Sequence, residues 1–336
     1  MTNEKTAKWR MKIKVFLLVF LLMSLGAVAI AAWANDEYYQ ARQDTIDEIE
    51  ESGSSIESEH EIEFNVNEPE DDSLNALNLL LVGVDSDGGV ARTDTIMIAR
   101  YLPDEADIKL ASIMRDTYVE IPGHGKNKIN AAYAFGGLDL LRETIELNFD
   151  FDIQHYAQVD FDSFKRVVDT VSPEGIDIEV ENRMFYEDRV EGLVIDFQPG
   201  THTMDGSEAL KYVRFRSDSE NDFGRVRRQQ ELLSILQDEI LSLSGVAKVP
   251  SLLGSVEPYI QTNLSNGKMM SYGRDFFLNG PEDIGTLTIP VEGSFTHEYY
   301  THAGAVLEPD LNENNDALSS FLDPDTDQVT IHDDED

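Results

Sequence analysis

An apolar segment near the N-terminus limits the topology of the chain more than any other feature. Residues 1–14 are basic, and an apolar run from Val15 to Ala34 follows them. As a helix, this run would cross roughly 30 Å, the thickness of a bilayer hydrocarbon core. Because basic flanks stay in the cytoplasm, the pattern predicts a cytoplasmic tail over 1–14, one transmembrane helix over 15–34 and an extracellular remainder. A cleaved signal peptide is the alternative, since Ala32-Trp33-Ala34 fits a cleavage site, and it also exports the remainder.

The charge balance excludes several classes of partner and chemistry. The 336 residues include 65 acidic and 26 basic side chains, which gives a formal net charge of −39. A chain with this charge repels a phosphate backbone, so nucleic acid is excluded as a partner. The sequence contains no cysteine, which excludes disulfides, thiolate zinc sites and a cysteine nucleophile.

Three regions follow the apolar segment. Residues 35–73 are rich in acids and poor in large apolar residues, so we expect an extracellular stalk or a frayed helix. Residues 74–300 alternate between strand-like and helix-like patterns, and no linker interrupts them. Residues 301–336 turn acidic again and are expected to form a C-terminal tail.

The alternating region predicts the fold class. Its patterns indicate strands at 77–84, 93–101, 108–114, 155–161, 176–180, 193–197 and 284–289, and helices at 128–149, 162–171, 206–212, 222–243, 248–257 and 266–278. Gly136-Gly137 is expected to break the first of these helices. Such an order predicts one α/β domain with a central mixed β-sheet flanked by helices.

Arginines are concentrated in one short segment. Arg214 and Arg216 are two residues apart and point the same way in extended backbone, and Arg225, Arg228 and Gln229 share a face at the start of a predicted helix. A helix N-terminus with arginines favours a phosphate group. The alternative for each arginine is an ion pair with one of the abundant acids.

A second polar cluster lies at the ends of the first predicted strands. Its members are Asp85, Arg92, Asp94, Arg115 and Asp116. Ligand sites of α/β sheets lie past strand ends, and carboxylates beside arginines suggest Mg²⁺ bound together with a phosphate. Turn formation and ordinary ion pairing are the alternative roles. Lys128 begins a helix, where a cation opposes the helix dipole and indicates an anion nearby.

Seven segments in order carry a resemblance to a known family. They are Leu-Val-Gly-Val-Asp-Ser (81–86), Ala-Arg-Thr-Asp-Thr-Ile-Met (91–97), Ser-Ile-Met-Arg-Asp-Thr (112–117), Lys-Ile-Asn-Ala-Ala-Tyr (128–133), Val-Asp-Phe (159–161), Met-Asp-Gly-Ser-Glu-Ala-Leu-Lys-Tyr-Val-Arg-Phe-Arg (204–216) and Asp-Phe-Gly-Arg-Val-Arg-Arg-Gln-Gln (222–230). Together they resemble the LytR–CpsA–Psr family of Gram-positive bacteria.

The resemblance implies an exported phosphotransferase that moves an anionic glycopolymer from an undecaprenyl-pyrophosphate carrier to peptidoglycan. By position, it implies Mg²⁺ or Mn²⁺ held by Asp85 and Asp94, and Arg115 as the residue most important for the chemical step. A general base would assist the transfer, and Asp94 and Asp116 are candidates, although a carboxylate that binds Mg²⁺ is a poor base. The phosphates would be bound by Arg92, Arg115, Lys128, Arg214, Arg216, Arg225, Arg228 and Gln229. The lipid tail would occupy an apolar pocket that the helices 161–171 and 205–212 line.

Two other functions are compatible with the same residues. A hydrolase would use the site on polyprenyl pyrophosphates with water as the nucleophile. A non-enzymatic regulator of the cell envelope would bind the lipid without transferring its glycan.

Overall fold

A six-stranded mixed sheet forms the centre of the chain. A computed structural model describes residues 30–51, 76–85, 92–188, 192–217, 221–242, 248–281 and 283–322. The sheet order is β11-β6-β1-β2-β3-β12. The pairs β1–β6 and β3–β12 are parallel, and β1–β2, β2–β3 and β6–β11 are antiparallel. Four strands, β1, β3, β6 and β12, therefore end at the same edge of the sheet. The mixed sheet confirms the predicted fold class.

The strands have the following bounds: β1 Leu77–Asp85, β2 Arg92–Leu102, β3 Asp107–Ile113, β4 Tyr118–Ile121, β5 Gly125–Lys128, β6 His155–Asp160, β7 Ile176–Val180, β8 Met184–Asp188, β9 Leu193–Phe197, β10 Gly200–Met204, β11 Gln261–Thr262, β12 Gly285–Ile289, β13 Phe295–Tyr300 and β14 Gly304–Pro309. The helices are α1 (30–51), α2 Ile129–Phe149, α3 Phe161–Val171, α4 Gly206–Arg214, α5 Asn221–Ser242, α6 Val249–Val256, α7 Asn266–Asn279 and α8 Leu311–Leu322. The strands outside the sheet form the pairs β4–β5, β7–β10, β8–β9 and β13–β14.

The sheet separates two apolar cores. Side chains alternate across a strand, so Leu80, Val82 and Val84 of β1 enter a core with α2 and α8. The second core joins α3, α4 and α5 to the pairs β7–β10 and β8–β9. Leu81 and Gly83 of the same strand face the side of α3, α4 and α5, where they line a cavity. One strand thus supports both the fold and the candidate site.

The predicted break in the first long helix is present. Gly136 and Gly137 leave helical backbone geometry inside α2, and Gly137 has φ of 65°. This positive φ suits glycine, which has no Cβ to clash. The break separates the first turns of α2, which adjoin the candidate site, from the longer part that packs in the first core.

Helix α1 packs on the domain. Tyr38 is only 2% exposed, and Ile49 is also buried. Arg42 Nε contacts Glu257 Oε2 at 2.7 Å, and Thr45 Oγ1 donates to the Ser255 carbonyl at 3.4 Å. Periodic apolar side chains and a half-buried ion pair thus order the first part of the stretch assigned above to a stalk.

The remaining N-terminal assignments fall largely outside the described residues. Residues 1–29 and 52–75 belong to that part of the chain, and they include most of the predicted transmembrane segment. Residues 30–34 begin α1. No helix within the described ranges combines the length and apolarity needed to cross a bilayer.

The domain continues past residue 300. The hairpin β13–β14 and helix α8 occupy residues 295–322, most of which were assigned above to an acidic tail. Leu318 and Leu322 are 1% exposed and belong to the first core. Asn314 accepts from the Val291 backbone N–H at 2.9 Å, which ties α8 to the end of β12. The acidic side chains of α8 are exposed, and its apolar side chains are buried or half-buried. The acidic residues therefore hid the apolar face of this helix in the sequence.

Candidate functional site

The predicted polar residues gather at the edge where β1, β3 and β6 end. The antiparallel strand β2 begins at this edge, and the first turns of α3 and α5 lie beside it. Asp85 and Arg92 pair through their backbones at the end of the β1–β2 ladder. The side chains of these two residues are outside what the structure describes.

A β-bulge places Asp94 in the site. The register shifts so that Gly83 opposes Thr95 while Val84 opposes Thr93, which leaves Asp94 as the extra residue on β2. Such a bulge redirects one side chain out of the regular alternation. The buried Thr93 hydroxyl lies 2.9 Å from the Gly83 carbonyl and 2.8 Å from the Thr95 carbonyl. The bulge thus has its own hydrogen bonds and holds Asp94 at the sheet edge.

Arg115 links three carboxylates. Its Nη1 donates to Asp94 Oδ1 at 2.5 Å, its Nη2 lies 3.5 Å from Asp222 Oδ2, and its Nε lies 3.8 Å from Asp116 Oδ2. Asp116 in turn contacts Lys128 Nζ at 2.8 Å. The structure thereby brings Arg115, Asp116 and Lys128 together with Asp94. The sequence pattern places the first two and Asp94 at strand ends and Lys128 at a helix start.

Asp222 is a member of the site that the sequence analysis missed. It lies in the first turn of α5, where its Oδ1 is 3.4 Å from Arg225 Nη2 and its Oδ2 faces Arg115. The signal was available, because Asp222 and Arg225 are three residues apart on a helix. Because the chain has 65 acidic residues, a single aspartate did not stand out as a candidate site residue.

Arg225 is the most enclosed cation that lines the cavity described below. It is 4% exposed and its Nη1 lies 3.9 Å from Asp94 Oδ2. The Nε–H groups of Arg225 and Arg115 are buried without a hydrogen-bond acceptor among the described residues. Buried donors of this kind are costly unless an acceptor reaches them, so the two arginines favour an anion between them.

The electrostatics of the cluster follow from burial and from its cations. Burial raises the pKa of the Asp94 carboxyl, but the charges of Arg115 and Arg225 outweigh burial and hold that pKa below its usual value. Burial lowers the pKa of Arg225, and the positive charge of Arg115 lowers it further. Asp94 is therefore ionised at neutral pH and is a weak base, while Arg225 lacks full compensation of its charge.

Three further predicted residues, Gln229, Arg214 and Arg216, line the same cavity. Gln229 Nε2 donates to Thr95 Oγ1 at 2.9 Å, next to the bulge. The guanidinium carbon of Arg214 lies 4.5 Å above the centre of the Phe161 ring, in cation–π contact. Arg216 follows at the end of α4 and is exposed. Five cations, Arg115, Lys128, Arg214, Arg216 and Arg225, thus accompany three acids, Asp94, Asp116 and Asp222.

Arg228 has a different place. It is 3% exposed, donates from Nη2 to the Phe215 carbonyl and lies 5.3 Å from the centre of that ring. It does not line the cavity into which Arg214, Arg216 and Arg225 face. Arg225 and Arg228 are both on α5, three residues apart, as predicted. Arg228, however, contacts Phe215 at the end of α4 and not the cavity.

A deep apolar cavity opens from the cationic cluster. It has a volume of about 340 Å³ and lies between the sheet on one side and α3, α4 and α5 on the other. The hairpin β8–β9 contributes Tyr186 and Leu193. Apolar lining dominates, and it includes Leu81, Met97, Val159, Phe164, Leu210, Val213, Leu232 and Leu236. Asp94, Arg214, Arg216, Arg225 and Gln229 line its polar end. The geometry suits a molecule with an apolar tail and an anionic head.

The fold and the site define a class of protein: an α/β domain that binds an amphiphilic anion at the strand ends of a mixed sheet. The sequence model of the LytR_cpsA_psr family matches residues 37–319, so this chain belongs to that family. The match includes most of α1 and most of α8, in agreement with their packing on the domain.

Named relatives share most of their length with the chain. Regulatory protein MsrR of Staphylococcus aureus (strain COL) is 38% identical over 74% of this chain and 75% of its own. The polyisoprenyl-teichoic acid–peptidoglycan teichoic acid transferase TagU of Oceanobacillus iheyensis is 31% identical over 95% of this chain and 96% of its own. The crystal structure of B. subtilis TagV superposes with a TM-score of 0.63 at 30% identity, over 75% of this chain and 98% of TagV.

Proposed function

We propose that this chain is a membrane-anchored phosphotransferase that moves an anionic glycopolymer from a polyprenyl-diphosphate carrier to peptidoglycan outside the cell. One observation carries the proposal: an apolar cavity of about 340 Å³ ends at a cluster of arginines. A polyprenyl diphosphate has the same order of parts, a long apolar tail and then two phosphates. The relative TagU is named for this transfer of teichoic acid.

Different residues of the cavity would bind different parts of the substrate. The apolar walls from α3, α4 and α5 would hold the polyprenyl chain. Arg214, Arg216, Arg225 and Gln229 at the mouth would bind the diphosphate. We propose Arg92, at the start of β2, and Lys128, beside Asp116, as further cations for it. The N-terminus of α5 adds the favourable end of a helix dipole. Several cations are required because a diphosphate carries several negative charges, and this acidic chain would otherwise repel it.

The chemical step is a displacement at phosphorus. A peptidoglycan hydroxyl attacks the phosphorus next to the sugar, the bridging P–O bond breaks, and polyprenyl phosphate leaves. The acceptor gains the glycan with one phosphate, and the hydroxyl proton passes to a base. Arg115 faces Asp94 and Asp222 and would neutralise charge that develops on the transferred phosphate. Asp94, paired with Arg115, and Asp116, paired with Lys128, are the two candidate bases for this proton.

The carboxylates fit Mg²⁺ or Mn²⁺. Asp94 Oδ2 lies 3.9 Å from Arg225 Nη1, beyond hydrogen-bond distance, and Asp85 ends the adjacent strand. Among the described residues no three acidic or histidine side chains form a metal cluster. Two carboxylates and substrate oxygens are the ligands that Mg²⁺ prefers. We propose that Asp85 and Asp94 hold the ion, which would neutralise diphosphate charge.

A reconstituted reaction tests the proposal. The chain is mixed with a synthetic undecaprenyl-diphosphate saccharide, Mg²⁺ and peptidoglycan oligomers, and products are followed by mass spectrometry. We expect the acceptor to gain the saccharide and one phosphate. Saccharide phosphate released without that product would indicate a hydrolase instead. Binding of the lipid without turnover across a series of glycans would indicate a regulator that only binds it.

A further inference from the structure

The hairpin β13–β14 adjoins the charged cluster on the side away from the cavity. The Leu307 backbone N–H donates to the Asp116 carbonyl at 2.9 Å, and Thr117 forms a parallel bridge with Leu307. Asp94 and Arg225 line the cavity, whereas Asp116 and the hairpin do not. The order across the site is therefore apolar cavity, cationic cluster, hairpin.

One face of this hairpin carries a row of aromatic rings. Phe295, His297 and Tyr299 alternate along β13 with Thr296 and Glu298, so they share a face. The Phe295 ring stacks on Phe223 at 5.7 Å between centroids, and the His297 ring meets Phe295 edge-on at 5.4 Å. We call Phe223, Phe295, His297 and Tyr299 the aromatic ladder.

The ladder begins inside the site and ends in solvent. Phe223 directly follows Asp222, which contacts Arg115 and Arg225. At the outer end, Tyr299 is 75% exposed and lies about 7 Å beyond His297 along the strand. Packing of the domain accounts for Phe223 and Phe295, which cluster with Met114 and Leu307. It does not account for His297 and Tyr299, whose rings stay exposed.

We propose that the aromatic ladder is a saccharide-binding subsite, an inference that rests on the proposed function. If the cavity holds the lipid and the arginines hold the phosphates, sugar is the next part of the substrate. It must leave the cluster on the side where the ladder lies. Aromatic rings with a polar edge, such as those of tyrosine and histidine, can pack on the C–H face of a pyranose and bond to its hydroxyls. The sugar belongs either to the donor polymer or to the acceptor glycan.

Equilibrium binding to the full-length chain in detergent tests the subsite without relying on transfer. Two probes are used: a soluble peptidoglycan tetrasaccharide, and undecaprenyl diphosphate with and without its saccharide. The variants are Tyr299→Ala, His297→Ala, Tyr299→Phe and the control Tyr39→Ala, which removes a half-exposed tyrosine on α1. We expect Tyr299→Ala and His297→Ala to weaken saccharide binding about 3- to 10-fold, the effect of one lost aromatic contact. Tyr299→Phe keeps the ring and should bind nearly as the wild type, as should Tyr39→Ala.

The two probes separate the sources of the sugar. If Tyr299→Ala and His297→Ala weaken binding only of the tetrasaccharide, the ladder binds the acceptor glycan. If these variants instead reduce the difference in affinity between the lipid with saccharide and the lipid without it, the ladder binds the donor polymer. Unchanged binding of both probes by Tyr299→Ala and His297→Ala overturns the proposal, as does a wild type that binds neither saccharide. A wild type that binds sugar through Tyr299 but yields no transferred product contradicts the proposed function and leaves the subsite standing.

Discussion

Arg115 Nη1 donates to Asp94 Oδ1 at 2.5 Å, and this contact joins the end of β3 to the bulge of β2. It fixes one oxygen of Asp94 while the other remains 3.9 Å from Arg225. The same guanidinium faces Asp222 and Asp116, so one side chain orients the acids of three chain segments. Arg115 is therefore the residue on which the geometry of the candidate site depends most.

Arg225 and Arg228 are expected to have separable roles. Arg225→Met removes a cation from the mouth of the cavity and should weaken binding of a polyprenyl diphosphate about 10- to 100-fold. Arg228→Met leaves the Phe215 carbonyl without its donor, so it should lower the free energy of unfolding by about 1–3 kcal/mol with lipid affinity nearly unchanged. Lipid titration and urea denaturation of both variants give the comparison. The reverse pattern would place Arg228 in the binding site.

The effect of filling the cavity on lipid affinity should depend on the length of the lipid chain. Leu210→Trp adds volume on the wall that α4 contributes, so we expect loss of binding to undecaprenyl diphosphate. A short-chain isoprenoid diphosphate, which leaves the deep part empty, should bind with similar affinity to wild type and variant. Ser207→Trp, at an exposed position of the same helix, is the matched control. Equal losses for both lipids would show that the substitution disturbs the phosphate site instead.

Helix α1 should depend on one buried ring. Tyr38→Ala removes a fully buried aromatic side chain, a change that costs about 3–5 kcal/mol in protein cores. Its neighbour Tyr39 is half-exposed, and Tyr39→Ala should cost no more than about 0.5 kcal/mol. Hydrogen exchange over residues 30–51 reports the difference, with loss of protection only in Tyr38→Ala. Equal protection in both variants would mean that the docking of α1 does not rest on Tyr38.

The hairpin β13–β14 should weaken at alkaline pH. The Tyr300 hydroxyl donates to Glu308 Oε2 at 2.7 Å, and this bond, together with burial, raises the pKa of Tyr300 to about 12. Because the folded pKa exceeds the unfolded value near 10, the stabilisation is complete below pH 10 and is lost as pH rises to 12. The difference in unfolding free energy between wild type and Tyr300→Phe should shrink across this window. If the difference in unfolding free energy stayed constant from pH 10 to 12, the Tyr300–Glu308 hydrogen bond would not be the source of the stabilisation.

Much of the fold was readable from the sequence because its long elements have clear periodicity. Strands β1, β2 and β3 and helices α2 and α5 match the predicted ranges within a few residues. The short pairs β4–β5 and β13–β14 were missed although β7 and β9, of similar length, were predicted, so strands of four to six residues lie at the limit of what the apolar pattern separates from a loop. Helices α1 and α8 were not predicted for another reason: they lie in stretches of acidic and polar composition, and a few spaced apolar residues supply their packing.

The site was partly predictable on similar grounds. Rare cations in an acidic chain mark a functional cluster, and Arg115, Lys128, Arg214, Arg216 and Arg225 do meet. The bulge that frees Asp94 depends on the pairing of two strands and cannot be read from β2 alone. The contact between Arg228 and Phe215 is also tertiary, because it joins α5 to the end of α4.

The rate of glycan transfer by Arg115 variants tests the central claim most directly. Wild type, Arg115→Ala and Arg115→Lys are compared with one synthetic donor and one peptidoglycan acceptor, and circular dichroism and urea denaturation verify that each is folded. Loss of one group that stabilises developing charge costs about 10²- to 10³-fold in rate, so Arg115→Ala should fall by at least about 100-fold. Arg115→Lys, which keeps the charge but not the three-way contact, should fall in between. Transfer by folded Arg115→Ala at the wild-type rate would contradict the account.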